Sequence, residues 1–202
     1  MNDIEIVVAR YKEHLDWIPD GWKPHCSVYN KGEPVKDEGY KFYSVVENVG
    51  RESHTYLSYI LKRYDSLPSI VVFTQADPFS HCRNFIGIVN ELNAVKLAKN
   101  NGFFPFGWSK ELRDLYPRFH KGITKDFREC HRKWIGDDGP RTFKYYMGAI
   151  FAVSKSNILS HSREYYQDIL KSVSNDIDPV EGYCLERLWG LIFSGGVKKC
   201  LY

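Results

Sequence analysis

Residues 69–78 read SIVVFTQADP, and this stretch decides the fold. Its first six residues, 69–74, form a nearly continuous apolar run, which predicts a short strand buried on both faces of a parallel sheet. Gln75-Ala76-Asp77 and then Pro78 follow at once, so the strand ends in a turn. Ligands bind beyond the carboxyl ends of the strands in such sheets, which makes this strand exit the first place to look for a site.

Similar apolar runs and helical patterns extend outward from this strand. Further strands are predicted at residues 4–9 (IEIVVA), 26–29 (CSVY) and 145–153 (YYMGAIFAV). Helices are predicted after residue 10, opening at residues 50–53, around 85–95, at 162–173 and from residue 178. The alternation of buried strands with helices predicts an α/β fold with a central, mostly parallel sheet flanked by helices.

The composition is that of an ordinary folded domain. The chain has 202 residues, 28 Lys and Arg against 25 Asp and Glu, a net charge of +3, and 15% aromatic residues. These values argue against disorder and against a nucleic-acid partner, and they predict one domain over residues 1–202. Glycine and proline are frequent at about residues 100–141, which predicts an irregular functional insertion there.

The sequence also predicts the cellular setting. No apolar run approaches the roughly 20 residues that cross a membrane, and we expect neither a membrane span nor a signal peptide. The five cysteines are widely spaced and form no CxxC pair. This pattern predicts free thiols in a reducing, cytoplasmic environment.

Cationic and polar residues follow three of the predicted strands. Because the carboxyl ends of parallel strands meet at one edge, we expect these residues to lie together and to hold a phosphate-bearing ligand. Arg10 and Lys31 could neutralise a diphosphate and Tyr11 could stack on a base, or all three could be ordinary surface or packing residues. The full set is Arg10, Tyr11, Asn30, Lys31, Gln75, Ala76 and Asp77.

The start of the clearest helix offers a second anion-binding element. Gly50-Arg51-Glu52-Ser53 lies at this helix start, where free N–H groups and the helix dipole attract anions. Arg51 adds a guanidinium that can bind phosphate through two hydrogen bonds. The alternative is an ordinary cap, with Ser53 as the N-cap and Arg51 in a salt bridge.

Asp77 is the strongest candidate for a metal ligand. Mg²⁺ and Mn²⁺ are bound by one or two carboxylates together with substrate phosphates, and His81 could join the ligand set. The alternative is that Asp77 caps the turn before Pro78 and that His81 faces solvent. The P-loop, GxGxxG, HExxH and GxSxG motifs are absent from the sequence, so the chemistries that depend on them lack support.

Carboxylates near the start of the last helix are candidates for a catalytic base. Asp178-Pro179-Val180-Glu181 fits a capping box, with Asp178 as the N-cap and Glu181 in the first turn. A catalytic role for Asp178 or Glu181 stays open, because helix starts near a sheet edge often border an acceptor site. Asp138 is a third candidate, although residues 137–139 (DDG) also fit a simple turn.

In combination, several of these stretches resemble a family of small domains found in fungi, bacteria and large DNA viruses, long classed as of unknown function. The viral version resembles the first glycosyltransferase domain of a chlorella-virus protein that helps to build capsid glycans. The resemblance covers roughly residues 4–193 and is carried by residues 8–17, 29–32, 49–57, 73–78 and 186–189.

The resemblance implies a GT-A fold, which is a single α/β domain that binds a UDP-sugar with Mn²⁺ or Mg²⁺. In GT-A enzymes an Asp-x-Asp motif ends a central strand and binds the metal. Gln75-Ala76-Asp77 stands at that position here, so only the second Asp is present. The implied reaction transfers a sugar from UDP-glucose or UDP-rhamnose to a glycan or glycoprotein acceptor, in capsid glycosylation within the host cytoplasm for a viral protein.

Two functional interpretations therefore stand beside each other. One is a metal-dependent glycosyltransferase, inverting or retaining, in which Asp77 and either Asp178 or Glu181 carry the chemistry. The other is a catalytically silent nucleotide- or glycan-binding module of the same fold, which the incomplete acidic motif favours. Aromatic residues between 103 and 134, Trp108 among them, predict a groove for the acceptor sugar, because sugar C–H faces stack on flat rings.

Overall fold

A six-stranded sheet forms the centre of the computed structural model, which describes residues 3–36, 39–113, 127–137, 139 and 142–194. The sheet strands are β1 (Ile4–Arg10), β2 (Cys26–Asn30), β3 (Phe42–Val45), β4 (Ile70–Gln75), β5 (Phe103–Pro105) and, after two strands outside the sheet, β8 (Phe151–Ser154). Across the sheet their order is β3-β2-β1-β4-β8-β5; β1 to β4 run parallel to one another, and β8 is antiparallel to its neighbours β4 and β5. The predicted α/β fold with a mostly parallel sheet is confirmed.

Helices cover both faces of this sheet. A separate antiparallel pair, β6 (Ser109–Arg113) and β7 (Thr142–Tyr146), lies outside it. Short 3₁₀ turns occur at Asp20–His25, Tyr64–Ser66 and Met147–Ala149. The helices are α1 (Arg51–Arg63), α2 (Phe85–Asn90), α3 (Ala94–Ala98), α4 (Phe127–Ile135), α5 (Lys155–Ile158), α6 (Arg163–Val173) and α7 (Val180–Phe193).

The central strands contribute side chains to two separate hydrophobic cores. Val7 and Phe73 pack with α1, α6 and α7, whereas Ile6 and Val72 pack on the opposite face with α2 and the 3₁₀ turn at Asp20–His25. Successive strand residues point to opposite faces, so a strand buried on both faces is apolar at nearly every position. This is why the apolar runs at residues 4–9 and 69–74 were sufficient to predict β1 and β4.

Other predicted elements are placed differently. No helix follows β1, the expected helix around 85–95 is split into α2 and α3, and β3 had no predicted counterpart. The irregular insertion contributes β5 to the central sheet and carries β6 and α4. The one strand expected at 145–153 is divided by the turn Met147–Ala149.

Gly148 explains that division. Its φ of 83° lies in the left-handed region, and a Cβ at this position would lie 2.6 Å from the ring of His81. Ala149 also has a positive φ, of 50°, and its carbonyl accepts a 3.0 Å hydrogen bond from the Tyr56 hydroxyl. Such backbone is held only where its surroundings fix it, and a continuous strand cannot pass through it.

The cysteines of the described residues are free thiols, as predicted. Cys26, Cys82, Cys130 and Cys184 are free and buried. Burial raises the pKa of the Cys26 thiol to about 12, so this group stays protonated and unreactive. Among the described helices, none is both long and apolar enough to cross a membrane.

Candidate functional site

A cleft of about 300 Å³ lies at the carboxyl edge of the sheet. It is bounded by the ends of β1, β2 and β4, by the first turn of α1 and by the segment before α7. Six of the candidate residues from the sequence line this cleft. Residues far apart in the chain therefore meet at the carboxyl ends of the strands, as predicted. The lining residues are Ala9, Arg10, Tyr11, Glu13, Lys31, Asn48, Arg51, Glu52, Gln75, Ile177 and Asp178.

Arg10 lines the cleft, and Asn30 lies beneath it as the hydrogen-bond partner of Arg10. The parallel register places them opposite each other at the ends of β1 and β2. Arg10 donates from Nη1 to Oδ1 of Asn30 at 2.5 Å and to the carbonyl of Glu33, and from Nε to the carbonyl of Glu13. Asn30 is fully buried and does not line the cleft, so its role is to hold Arg10 and the loop after β2 rather than to contact a ligand.

Lys31 is almost fully buried beneath the start of α1. Its ammonium donates to the carbonyl oxygens of Val49 and Arg51. Burial lowers the pKa of Lys31 to about 8, and nearby Glu52 partly opposes that shift. The residue still lines the cleft, which places a buried positive charge at the helix N-terminus.

Arg51 begins α1 with a φ of 51°, and it reaches across the cleft. Its Nη1 lies 3.2 Å from Oδ1 of Asp178, and its guanidinium carbon lies 4.3 Å from the ring centre of Tyr183. The side chains of Arg51 and Asp178 are 34% and 58% exposed. The predicted salt bridge is therefore present, but the N-cap is Gly50 rather than Ser53, and no side chain caps the helix.

The carboxylates around the cleft are already engaged within the protein. Glu13 accepts hydrogen bonds from the backbone N–H groups of Tyr11 and Lys12. Glu52 is 9% exposed and lies 3.6 Å from Nε of Arg51; burial raises its pKa, which this cation partly offsets. Within the described chain, Arg10 and Lys31 have no carboxylate within 4.0 Å, so no contacting carboxylate neutralises the charge of these two cleft cations.

Gln75 links the cleft to the turn at Met147–Ala149, which precedes β8. Its side-chain amide donates a 2.7 Å hydrogen bond to the carbonyl of Gly148, whose own N–H donates to Oε1 of Glu186 at 2.8 Å. Ala76 is buried; its carbonyl accepts a hydrogen bond from the indole of Trp17. Ala76 therefore holds the loop after β4 in place, outside the cleft.

The two predicted metal ligands lie outside the cleft. Asp77 is exposed, and its Oδ1 accepts a 3.1 Å hydrogen bond from the N–H of Phe79, which is the turn-capping arrangement. His81 packs against Gly148 and edge-on to Trp108, with 6.0 Å between the ring centres. In the described part of the chain no group of three or more His, Cys, Asp or Glu side chains is arranged to hold a metal.

The three candidate bases separate in position. Asp178 lines the cleft, Glu181 does not, and Asp138 lies outside the described residues. The predicted capping box is wrong, since α7 begins at Val180 with Pro179 as its N-cap and without a side-chain cap. Asp178 therefore lies outside the helix, and its Oδ2 accepts a 3.1 Å hydrogen bond from the hydroxyl of Tyr183.

Comparison with known proteins identifies the family. A family model described as a protein of unknown function, DUF3431, matches residues 6–202. The chain belongs to the DUF3431 family. This confirms the resemblance to a domain family without an assigned function, and it leaves the link to a chlorella-virus glycosyltransferase as a proposal. Neither the comparison with curated proteins nor that with solved structures found a match.

The cleft of this DUF3431 domain includes residues that sequence reasoning missed. Asn48 lines it with a side-chain amide that forms no hydrogen bond to the described residues, and Ile177 lines it while 60% exposed. Glu186 and Tyr183 of α7 contact it indirectly, through Gly148 and Asp178. Asn48 and Ile177 lie in irregular segments, where no periodicity marks them. Glu52 also lines the cleft, and its place beside Arg51 at the predicted helix start could have indicated it.

Proposed function

We propose that this protein is a glycosyltransferase that transfers a sugar from a UDP-sugar to a glycan or glycoprotein acceptor. The observation that carries the proposal is the cleft itself, in which Arg10, Lys31 and Arg51 meet at the carboxyl edge of a parallel sheet. Cations and a helix N-terminus at such an edge suit a diphosphate. The position of Gln75-Ala76-Asp77, at the end of the central strand β4, supports a GT-A arrangement.

The cleft offers a place for each part of a nucleotide donor. Lys31 and Arg51 supply positive charge for the diphosphate at the start of α1. The ring of Tyr11 is 42% exposed at the rim, where it can stack on the base. The amide of Asn48, which has no hydrogen-bond partner among the described residues, can donate to and accept from the edge of a pyrimidine base.

Asp77 fits the role of a metal ligand in part. Only its Oδ1 has a partner within the described structure, and one carboxylate together with substrate phosphates is a common ligand set for Mg²⁺ or Mn²⁺. Asp77 would hold the ion two residues beyond Gln75, which lines the cleft, and His81 lies on the same loop. A bound divalent cation would stabilise the negative charge that develops on the leaving diphosphate.

The proposed chemistry assigns the base to Asp178. The acceptor hydroxyl oxygen bonds to the anomeric carbon while the carboxylate of Asp178 takes its proton. The bond between the anomeric carbon and the diphosphate oxygen breaks with both electrons leaving on the diphosphate, next to Lys31 and Arg51. Asp178 is preferred over Glu181 because it alone of the two lines the cleft.

The acceptor is proposed to bind beside Trp108, which is 56% exposed. Trp108 contacts His81, His81 packs on Gly148, and Gly148 bonds to Gln75 in the cleft wall. The broader aromatic groove expected from the sequence is reduced, since Phe103, Phe106 and Trp134 are buried in the cores. Tyr116 and Phe119 lie outside the described residues.

A donor screen tests the proposal. The protein is incubated with UDP- and GDP-sugars and Mn²⁺, and nucleotide release is measured with wild type, Arg51→Ala and Asp77→Ala. Release from a UDP-sugar that both substitutions reduce is the expected result. Tight UDP binding without release from any donor would instead favour the silent binding module, and binding of neither UDP nor UDP-sugars would exclude the proposed UDP-sugar transferase.

A further inference from the structure

Arg51 and Asp178 connect the two walls of the cleft. Arg51 is the first residue of α1, and Asp178 lies two residues before α7; their closest atoms, Nη1 and Oδ1, are 3.2 Å apart. Both side chains are partly exposed, so water and salt weaken their attraction. An exposed pair of this kind yields readily to a stronger anion, and a diphosphate carries more negative charge than a carboxylate.

Tyr183 keeps both groups in place when their contact breaks. Its ring lies under the guanidinium of Arg51, and its hydroxyl donates to the second oxygen of Asp178. The N–H of Gly50 donates a 2.8 Å hydrogen bond to the carbonyl of Asp176, which ties the start of α1 to the segment that carries Asp178. The two side chains can therefore separate without either wall of the cleft moving away.

We propose that Arg51 exchanges partners when the donor binds, moving from the carboxylate of Asp178 to the donor diphosphate. This inference rests on the proposed function and describes how the same site is regulated. In the free protein Asp178 occupies the cation that the phosphate needs, and Arg51 occupies an oxygen that the acceptor proton needs. Donor binding thus releases the base, so proton abstraction follows donor binding.

The test compares UDP affinity, measured by calorimetry, for wild type, Asp178→Asn, Arg51→Gln and the double variant. Asp178→Asn removes the internal competitor, so we expect it to bind UDP about two- to fivefold more tightly while sugar transfer falls about a hundredfold or more. Asp168→Asn is the charge-matched control, because Asp168 pairs with Lys171 on α6 and does not line the cleft. Its UDP affinity should equal that of wild type.

The double variant separates exchange from simple charge repulsion. If Asp178 weakens UDP binding by holding Arg51, then adding Asp178→Asn to Arg51→Gln brings no further gain in UDP affinity. A gain that persists without Arg51, or an Asp178→Asn variant that binds UDP no more tightly than wild type, would overturn the exchange. Absence of UDP binding by wild type would overturn the proposed function, whereas the other two results leave it standing.

Discussion

Nη1 of Arg10 lies 2.5 Å from Oδ1 of Asn30, and this contact joins the ends of two neighbouring parallel strands beneath the cleft. Asn30 uses its whole side chain in the same place. Its Nδ2 reaches the carbonyl oxygens of Gly32 and Glu33 and the hydroxyl of Tyr43. The residue that sequence reasoning assigned to ligand binding therefore supports the loop that carries Lys31.

Asn30→Ala is expected to destabilise the fold. The substitution leaves the guanidinium of Arg10 and two loop carbonyls without their buried partner, which costs about 2–4 kcal/mol of the free energy of unfolding. Urea denaturation at neutral pH measures the change. Asn100→Ala is the control, because Asn100 is exposed and its side chain donates a surface hydrogen bond to the carbonyl of Lys96. Equal stability of the two variants would contradict the supporting role.

A second prediction concerns Gly32, which lies in the same loop after β2. A Cβ at this residue would lie 1.8 Å from the carbonyl oxygen of Tyr11, so Gly32→Ala forces the loops after β1 and β2 apart. We expect a loss of about 1–3 kcal/mol in the free energy of unfolding, together with weaker UDP binding. Gly21→Ala is the matched control, since nothing lies within 4 Å of its added Cβ. A Gly32→Ala variant as stable as Gly21→Ala would show that the loops adapt freely.

The parts of this fold that the sequence predicts are those in which one residue pattern has one physical solution. The runs at 69–74 and 4–9 are apolar at nearly every position, so only a strand buried on both faces accommodates them. The strand β3 escapes prediction because it is half exposed, with residues Phe42 to Ser44 partly buried and Val45 exposed. Its place in the sheet depends on pairing with β2 rather than on its own pattern.

The candidate site, too, could be predicted from the sequence only in part. Strand exits correctly indicated that Arg10, Lys31 and Gln75 would meet, because parallel strands end at one edge. The sequence could not tell that Asn30 would face inward while Asp178 would face the cleft. The position of Asp178 depends on where α7 begins, and the predicted cap placed that start one residue too early.

Lys31 predicts a dependence of stability on pH. The unfolded lysine holds its proton up to its ordinary pKa of 10.5, whereas burial lowers the folded pKa to about 8. Folding therefore disfavours the charged form, and that cost is fully present below pH 8 and disappears as pH rises from 8 to 10.5. The stability of wild type minus that of Lys31→Met should rise across this window, by at most about 3 kcal/mol.

Urea denaturation of both proteins from pH 7 to 10.5 measures this difference. Subtracting the variant removes the contribution of the tyrosines that ionise in the same range. Lys171→Met serves as the surface reference, because Lys171 is 76% exposed and forms a salt bridge with Asp168. A flat difference between wild type and Lys31→Met would mean that the ammonium is better solvated than its burial indicates.

We expect substitution of Trp108 to weaken use of the acceptor without weakening binding of the donor. The ring of Trp108 is 56% exposed beside His81, and stacking on a sugar face is worth about as much as an aromatic pair. Trp108→Ala should therefore lower the rate of sugar transfer at subsaturating acceptor by up to about tenfold, while UDP affinity stays at the wild-type value. Trp108→Phe retains a ring and should recover part of the loss. Val95→Ala, which removes another exposed apolar side chain, controls for surface change. Transfer that is unchanged in Trp108→Ala would place the acceptor elsewhere, and a matching loss of UDP affinity would place Trp108 in the donor site instead.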